Sequence, residues 1–281
     1  MTNVLITGCS SGFGLLTALE FARRGDRVFA TMRNTSRAGA LRAAADAERL
    51  AVTVLPLDVL DDASVTAAVK QATDAAGPID VLVNNAGFAL RSPIEEADDD
   101  EIRAQFDTNV FGTMRVIRAV LPSMRERRAG TIVNVSSIGG IVGAPYEGFY
   151  SATKHALEAI SEVMHYELSS FGVRVIVIEP GGFDTQFGDN IIESRRFAAP
   201  DSPYRDLAVR FREALGKLRA PDGVPGDPAD VARTICDAVA DPNAKLRYLV
   251  GGDAQVIAAV RRQTDFEGFE AAMRQTLDWH D

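Results

Sequence analysis

The first 180 or so residues alternate short apolar runs with longer segments whose apolar side chains recur every three or four positions. Short apolar runs of this kind predict strands, and the longer periodic segments predict amphipathic helices. We predict strands within residues 3–7, 27–32, 51–59, 79–87, 130–137 and 173–182. The predicted helices alternate with them, at 14–24, 36–48, 62–76, 99–127 and 150–170, with Asp62 as the candidate cap of the third.

The predicted strands are apolar on both faces, which is typical of a parallel sheet covered by helices on both sides. Strand and helix alternate without a break, as in doubly wound α/β folds. With a seventh strand in residues 246–252, the sequence predicts a seven-stranded, doubly wound parallel sheet of Rossmann type, in a single domain over residues 1–281.

The pattern changes after Gly182. Residues 183–226 are rich in Arg, Asp, Pro and Gly and contain scattered aromatic side chains. We expect this segment to shape a substrate pocket, as either a mobile lid or an ordered wall, and the sequence leaves both open. A helix opened by Asp-Pro is predicted over 226–239, and the tail at 253–281 is predicted to be helical.

Charge and composition exclude several kinds of partner. The net charge of -9 argues against nucleic acid and against an anionic membrane surface. No apolar run has the length of a membrane span, and no signal peptide precedes the first strand, so we expect a cytoplasmic protein. The two cysteines and three histidines have no ligand spacing, so we predict no metal site.

A glycine-rich loop, TGCSSGFG at residues 7–14, joins the first strand to the first helix. Glycines let the backbone turn tightly and approach a ligand, and the N-terminus of the helix then offers free N–H groups to a pyrophosphate. This strand, loop and helix arrangement predicts a dinucleotide site, although a tight turn without a ligand is the alternative. The loop supplies the candidate cofactor contacts Gly8, Ser10, Ser11, Gly12, Phe13 and Gly14.

The end of the second strand indicates which nicotinamide cofactor is bound. An acidic residue about 20 positions after the loop would bind the ribose of NAD. This chain has Arg33 there and no carboxylate, and a guanidinium suits the 2′-phosphate of NADP. We therefore predict NADP(H), with a solvated surface charge as the alternative role of Arg33.

Tyr150 and Lys154 are four residues apart at the start of a predicted helix, and therefore share one face. A carbonyl that accepts hydride needs a proton donor at its oxygen, and a phenol is a poor donor at its ordinary pKa of about 10. A neighbouring ammonium lowers the pKa of the phenol. The pair therefore predicts acid–base chemistry on a carbonyl or alcohol oxygen.

Together, TGCSSGFG, NNAG at 84–87 and YSATK at 150–154 resemble the short-chain dehydrogenase/reductase family. The wording around these motifs is similar to its 17β-hydroxysteroid dehydrogenase and retinol dehydrogenase relatives. The resemblance implies a catalytic tetrad, with Tyr150 as acid/base, Lys154 also holding the ribose, Ser137 at the carbonyl oxygen and Asn109 in a water relay. It implies further cofactor contacts at Asp58, Val59, Asn85, Ala86, Gly87, Pro180, Gly181, Phe183 and Thr185.

We therefore expect an NADP(H)-dependent enzyme that interconverts a ketone or aldehyde with its alcohol, on a bulky apolar small molecule. The resemblance also implies a homodimer or homotetramer formed through the helices at 99–127 and 149–170. Phe88, Phe149 and Phe183 lie beside the motifs and could line the substrate pocket or belong to the core. Two alternatives are an NAD-preferring alcohol dehydrogenase and a non-catalytic dinucleotide sensor, which would bind cofactor without turnover.

Overall fold

The computed structural model of the protein describes residues 1–184, 191–219 and 226–277. Its central sheet has seven strands in the order β3-β2-β1-β4-β6-β7-β9, and every neighbouring pair is parallel. The predicted doubly wound α/β fold is therefore confirmed. The strands of this sheet are β1 (Asn3–Ile6), β2 (Arg27–Met32), β3 (Val52–Pro56), β4 (Val81–Asn84), β6 (Gly130–Val135), β7 (Val173–Pro180) and β9 (Arg247–Val250).

Helices cover both faces of the sheet, and each layer has its own apolar core. The core on one face joins the sheet to α1, α2 and α9, and the core on the other joins it to α3, α5 and α6. The helices are α1 (Gly12–Arg23), α2 (Gly39–Glu48), α3 (Asp62–Ala76), α4 (Asp99–Phe106), α5 (Thr113–Arg127), α6 (Gly148–Ser169), α7 (Arg195–Ala198), α8 (Arg205–Arg219), α9 (Ala229–Ala240), α10 (Gly252–Gln263) and α11 (Phe266–Leu277). Within the described ranges, no helix combines the length and apolar character needed to cross a membrane.

Two helix predictions differ from the structure. The long helix expected at 99–127 is interrupted by a π-helical turn at Asp107–Gly112, which separates α4 from α5. Asp62 is the first residue of α3 rather than its cap. Asp61, in extended conformation just before it, accepts the N–H of Ala63 at 2.9 Å, because only a residue outside the helix can turn its side chain back onto the first turn.

The described part of segment 183–226 contains one short strand and two helices. Strand β8 (Ile191–Glu193) pairs in parallel with β5 (Ala89–Arg91), and these two strands form a small second sheet. The hydroxyls of Ser194 and Ser92 lie 2.7 Å apart, and Arg195 pairs with Asp98 and Asp100 at the start of α4. The sequence did not predict β5 or β8, since three-residue strands are too short to show an alternating pattern.

Candidate active site

The glycine-rich loop folds closely onto the turn that follows β4. Gly8 has φ +75°, and a Cβ placed on it would lie 2.8 Å from the Cα of Ala86. A Cβ on Gly14 would lie 2.4 Å from the carbonyl oxygen of Gly8. Larger residues would therefore separate the loop from the turn, which explains why glycines occupy these positions.

Hydrogen bonds hold the same two segments together. The amide nitrogen of the Asn85 side chain donates to the carbonyls of Thr7 and Gly8, at 3.0 and 3.1 Å. The Thr7 hydroxyl accepts the backbone N–H groups of Asn85 and Ala86, both at 3.0 Å. Thr7 was not among the candidate site residues, although it is the first residue of the glycine-rich loop TGCSSGFG.

A cavity of about 430 Å³ opens over this loop at the carboxyl ends of the strands. In doubly wound sheets, ligands bind at this edge. Most of the candidate cofactor contacts line the cavity, and Phe88 lines it as well. The predicted residues among its lining are Gly8, Ser10, Ser11, Gly12, Phe13, Arg33, Asp58, Val59, Asn85, Ala86 and Gly87.

Two guanidinium groups border the cavity next to the end of β2. Arg33 was predicted there, and Arg37 lines the same cavity but was missed. The two are four residues apart. Arg33 precedes a short 3₁₀ turn at Thr35–Ala38 and Arg37 lies within it, whereas the sequence predicted a helix from residue 36 onward. Two arginines together with the N-terminus of α1 form a donor set that fits a dinucleotide with an additional phosphate.

Asp58 also borders the cavity, next to Val59. Its carboxylate accepts the backbone N–H of Leu60 at 3.0 Å, and its own N–H donates to the Ser64 hydroxyl at 2.9 Å. The side chain therefore closes its own turn as well as facing the cavity. The turn that Asp58 closes is therefore compatible with its predicted cofactor contact.

Lys154 is buried on α6, with 8% of its surface exposed. Its ammonium nitrogen donates to the carbonyl of Val135, at the end of β6, at 2.8 Å, and lies 5.6 Å from the centroid of the Tyr150 ring. Burial lowers the pKa of Lys154 to about 8, and the charge of Glu158, one turn further along the helix, acts in the opposite direction. The predicted pair therefore shares a face in the folded chain.

Ser137 lies near the edge of the Tyr150 ring. Its Oγ accepts the N–H of Gly139 at 3.0 Å. A Cβ placed on Gly139 would lie 3.4 Å from Tyr150 Cε1 and 3.5 Å from Ser137 Oγ, so both side chains border the same point. The structure thus brings three of the four predicted tetrad members together.

Asn109, the fourth member, lies in the π-helical turn and is buried. Its amide accepts the backbone N–H of Phe88 at 3.1 Å and donates to the carbonyl of the same residue at 2.9 Å. It also donates to the Thr153 hydroxyl at 3.1 Å, and that hydroxyl donates to the carbonyl of Tyr150 at 2.7 Å. Asn109 therefore links the cavity wall at Phe88 to the helix that carries Tyr150.

The segment that leaves β7 contains Pro180, Gly181 and Phe183. The Phe183 ring meets the Phe13 ring edge-on, with centroids 5.6 Å apart, so this segment contacts the glycine-rich loop. Phe183 also packs against the apolar core, whereas Phe88 lines the cavity. Thr185 lies outside the described residues.

A larger cavity of about 630 Å³ lies at the opposite edge of the sheet, beside Asp80 and Gly130. Its guanidinium groups already have partners. Arg24 pairs with Asp237 at 2.7 Å, and Arg174 donates to the carbonyls of Val239 and Asp241. We therefore assign the functional site to the smaller cavity, at the edge where the candidate catalytic side chains are.

A family model described as short chain dehydrogenase matches residues 2–196, which is more than half of the chain. The chain belongs to the short-chain dehydrogenase family. It is an oxidoreductase by this membership, as the resemblance predicted.

Among its relatives, this short-chain dehydrogenase is similar to 3-ketodihydrosphingosine reductase of Bacteroides thetaiotaomicron, with 38% identity over 257 residues, 91% of this chain and 90% of that protein. It is 38% identical to retinol dehydrogenase 8 of Bos taurus, over 87% of this chain and 80% of that protein. It is 34% identical to 17-beta-hydroxysteroid dehydrogenase type 1 of Homo sapiens, over 88% of this chain and 76% of that protein. The predicted resemblance to the hydroxysteroid and retinol dehydrogenase subgroup is confirmed.

Solved structures of the family are also similar to this chain. A short-chain dehydrogenase from Streptomyces avermitilis superposes with a TM-score of 0.79 at 34% identity, over 99% of this chain and 96% of that one. An actinorhodin polyketide ketoreductase variant crystallised with NADPH superposes with a TM-score of 0.76 at 27% identity, over 90% of this chain and 97% of that one.

Proposed function

We propose that this short-chain dehydrogenase is an NADP(H)-dependent reductase of ketones or aldehydes, with the reverse oxidation of the alcohol at the same site. One observation carries the proposal: the Lys154 ammonium lies beside the Tyr150 ring, on a helix that Asn109 connects to the wall of the cavity. A dinucleotide sensor without turnover would not require this arrangement.

Tyr150 is the proton donor in this mechanism. When bound, the nicotinamide cofactor would supply the hydride that the carbonyl carbon accepts. As negative charge develops on the carbonyl oxygen, the Tyr150 hydroxyl gives its proton to that oxygen and becomes a phenolate, which solvent later reprotonates. In the oxidative direction the phenolate accepts the proton of the alcohol.

Lys154 makes this proton transfer possible at neutral pH. A cation near the ring stabilises the phenolate and therefore lowers the pKa of Tyr150. Lowering that pKa by about 3 units requires about 4 kcal/mol of differential interaction, which a buried ammonium can supply. The bond to the Val135 carbonyl fixes the ammonium, so little reorganisation is needed when charge develops.

Ser137 is proposed to bind the same carbonyl oxygen. Its hydroxyl borders the edge of the Tyr150 ring, and its oxygen is oriented by the N–H of Gly139. It therefore keeps its proton available for a bond to the carbonyl oxygen of the substrate. Asn109 acts in this scheme by holding Phe88 and Thr153, and a water relay at Asn109 is part of the proposal.

The cofactor preference is assigned to the arginines at the end of β2. Arg33 and Arg37 line the cavity, and no carboxylate replaces Arg33 in the position typical of NAD enzymes. The related ketoreductase crystallised with NADPH supports the same assignment. The other predicted cofactor contacts, of which Gly8 is the first and Phe183 the last described, would hold the pyrophosphate, adenosine and nicotinamide parts of the cofactor.

The substrate is proposed to be a bulky apolar molecule. The names of the relatives designate a ketodihydrosphingosine, a retinol and a hydroxysteroid. Near the start of α6, Tyr146 stacks on Phe197 with centroids 6.1 Å apart and meets Phe211 edge-on at 5.9 Å. Tyr146 has φ 64°, an uncommon backbone conformation for a bulky residue, which the aromatic contacts help to hold. This cluster packs the segment after β8 against the turn before α6, with Phe197 and Phe211 buried.

Self-association through α6 is also proposed. Val163 and Tyr166 expose 52% and 71% of their surfaces on this helix, and Phe111 exposes 56% on the π-helical turn. Apolar side chains in such numbers favour a protein contact. Sedimentation of the wild type and of Tyr166→Asp would test this, with a lighter species expected for the variant.

The function is tested by mixing the purified protein with NADPH or NADH and a panel of carbonyls that includes long-chain ketones, retinal and ketosteroids. We expect consumption of NADPH with at least one bulky apolar carbonyl and slower consumption of NADH. NADPH binding without turnover on any carbonyl would instead indicate a sensor, and faster turnover with NADH would overturn the cofactor assignment.

A further inference from the structure

Asp253 is a buried carboxylate that lies outside the family motifs described above. It is the second residue of α10, in the chain segment after the last strand of the sheet, and only 9% of it is exposed. Its Oδ2 accepts the backbone N–H of Gly182 at 2.7 Å, across 71 positions of sequence, and its Oδ1 accepts the N–H of Ala254 at 2.8 Å. Both carboxylate oxygens are therefore engaged, one of them with the segment that leaves β7.

The backbone around Asp253 leaves space for its carboxylate. A Cβ placed on Gly181 would lie 2.0 Å from Asp253 Oδ1, and a Cβ placed on Gly251 would lie 2.9 Å from the same atom. Gly251 also has φ +108°, which side-chain-bearing residues rarely adopt. Glycine is therefore required at positions 181 and 251, next to the carboxylate. The adjacent residues Gly181 and Gly182 have little conformational preference of their own.

The segment held by Asp253 lies at the catalytic end of the sheet. Strands β6 and β7 are neighbours, and Ser137 and Gly181 each follow one of them at the same edge. Arg33 and Asp58, which would bind the adenosine half, lie at the far side, beyond β1. A dinucleotide held along this edge would therefore have its nicotinamide end on the side of Gly181 and Gly182.

The contact continues from this segment to the glycine-rich loop. Phe183 follows Gly182 directly, and its ring meets Phe13 at the start of α1, with the ring planes at 84°. The same ring would be 3.3 Å from a Cβ on Gly251, so it is enclosed by the turn before α10. Any loosening of Gly182 would thus move an aromatic side chain that packs against Phe13, a residue that lines the cavity.

We propose that Asp253 is a positioning residue that fixes the Gly181–Phe183 segment against the nicotinamide half of the cofactor, and so sets the hydride-transfer geometry. This inference rests on the proposed function. The carboxylate accepts a charge-assisted hydrogen bond from a backbone N–H, and such a bond is stronger than one between neutral groups. This bond restricts the flexible Gly181-Gly182 pair to one conformation. Positioning of this kind contributes to rate because a displacement of about 1 Å at the reacting atoms can cost about 100-fold.

A purely structural role would consist of capping α10 and stabilising the fold. It can be separated from the proposed role with two ligands, NADPH and 2′-phospho-ADP-ribose, which lacks the nicotinamide. Structural damage weakens binding of both, whereas displacement of the nicotinamide segment weakens only NADPH. Asp265 provides a matched control, because its carboxylate accepts the N–H of Gly268 at 2.9 Å at the start of α11 and lines no part of the cavity.

The experiment measures the dissociation constants of both ligands and the steady-state constants for wild type, Asp253→Ala, Asp253→Asn and Asp265→Ala. For Asp253→Ala we expect NADPH binding weaker by about tenfold and kcat lower by about 10- to 100-fold, with 2′-phospho-ADP-ribose binding unchanged. Asp253→Asn keeps one acceptor oxygen and the shape of the side chain, so it should recover part of both losses, and it serves if the alanine variant does not fold. Asp265→Ala should match wild type.

Equal weakening of both ligands, or no change in NADPH binding and kcat, would overturn the inference. The inference would also be overturned if Asp253→Asn kept full activity while the control Asp265→Ala lost activity. If the wild-type protein binds neither ligand, the proposed function and this inference are both overturned. If the wild type binds NADPH and turns it over, the proposed function stands, and the Asp253 variants then test this inference alone.

Discussion

The Lys154 ammonium and the Tyr150 ring lie 5.6 Å apart on one face of α6, and the ammonium is fixed by a bond to the end of β6. This relationship joins the two halves of the site, because β6 also leads into Ser137. In the proposed mechanism, the positive charge of Lys154 lowers the pKa of the Tyr150 phenol and so assists its proton transfer.

The first prediction concerns pH. The pKa of Lys154 is lowered to about 8, mainly by burial, so the ammonium is lost as the pH rises through that value. We expect kcat/KM for carbonyl reduction, which reports the free enzyme, to fall above about pH 8. Glu158 acts to raise the pKa of Lys154, so Glu158→Gln should move this alkaline limb to lower pH.

The matched control for that profile is Glu167→Gln, on the exposed side of the same helix. It should leave the alkaline limb where it is in wild type. An alkaline limb that stays in place in Glu158→Gln would contradict the assignment of this limb to Lys154.

The second prediction concerns cofactor choice. Replacing Arg33 or Arg37 with alanine removes a charged donor from the cavity wall. A charge-assisted bond to a phosphate is worth about 1.5–3 kcal/mol, so we expect NADPH affinity to fall roughly 10- to 100-fold while NADH affinity hardly changes. Fluorescence titration of both cofactors measures this, and Arg42→Ala, an exposed arginine on α2, is the control. Parallel losses for both cofactors would contradict the assignment.

The third prediction concerns Asn109 and the stability of the fold. Its buried side chain makes two hydrogen bonds to the backbone of Phe88 and one to the Thr153 hydroxyl. Alanine at this position would leave buried polar groups without partners, at about 1–3 kcal/mol each. We expect Asn109→Ala to lower the free energy of unfolding by about 2–4 kcal/mol in urea titrations. Asn243→Ala, an exposed asparagine, should change it by less than about 0.5 kcal/mol.

The fourth prediction concerns a buried acid beside the site. Glu179 is 1% exposed, and burial, reinforced by the charge of Glu158, raises its pKa to about 7, although Arg247 and Arg262 oppose the shift. The folded protein therefore retains a proton that the unfolded chain loses from about pH 4.5 upward. The contribution of Glu179 to stability should fall as the pH rises from about 4.5 to 7, by up to about 3 kcal/mol, and level off above that range.

Glu179→Gln removes this titration, so the stability of the variant relative to wild type should increase between pH 5 and 7.5 in urea unfolding. Glu167→Gln should follow wild type through the same range. A constant difference between Glu179→Gln and wild type at all pH values would show that Glu179 does not titrate as described.

Local patterns predicted much of this molecule from its sequence. The strand and helix alternation predicted the sheet, and the spacing of Tyr150 and Lys154 predicted their shared face, because both depend on neighbours within one element. Asp253 and Thr153 could not be found in this way, since their contacts with Gly182 and Asn109 join residues 71 and 44 positions apart. The π-helical turn around Asn109 was missed because its residues continue a helical pattern.

The central claim, that Tyr150 gives the proton while Lys154 keeps it acidic, is tested most directly by Tyr150→Phe. The measurement is the single-turnover rate of carbonyl reduction, together with the dissociation constant of NADPH, for wild type and variant. The account predicts an NADPH affinity close to that of wild type and a rate lower by about 100- to 10,000-fold. A single-turnover rate equal to that of wild type would contradict it.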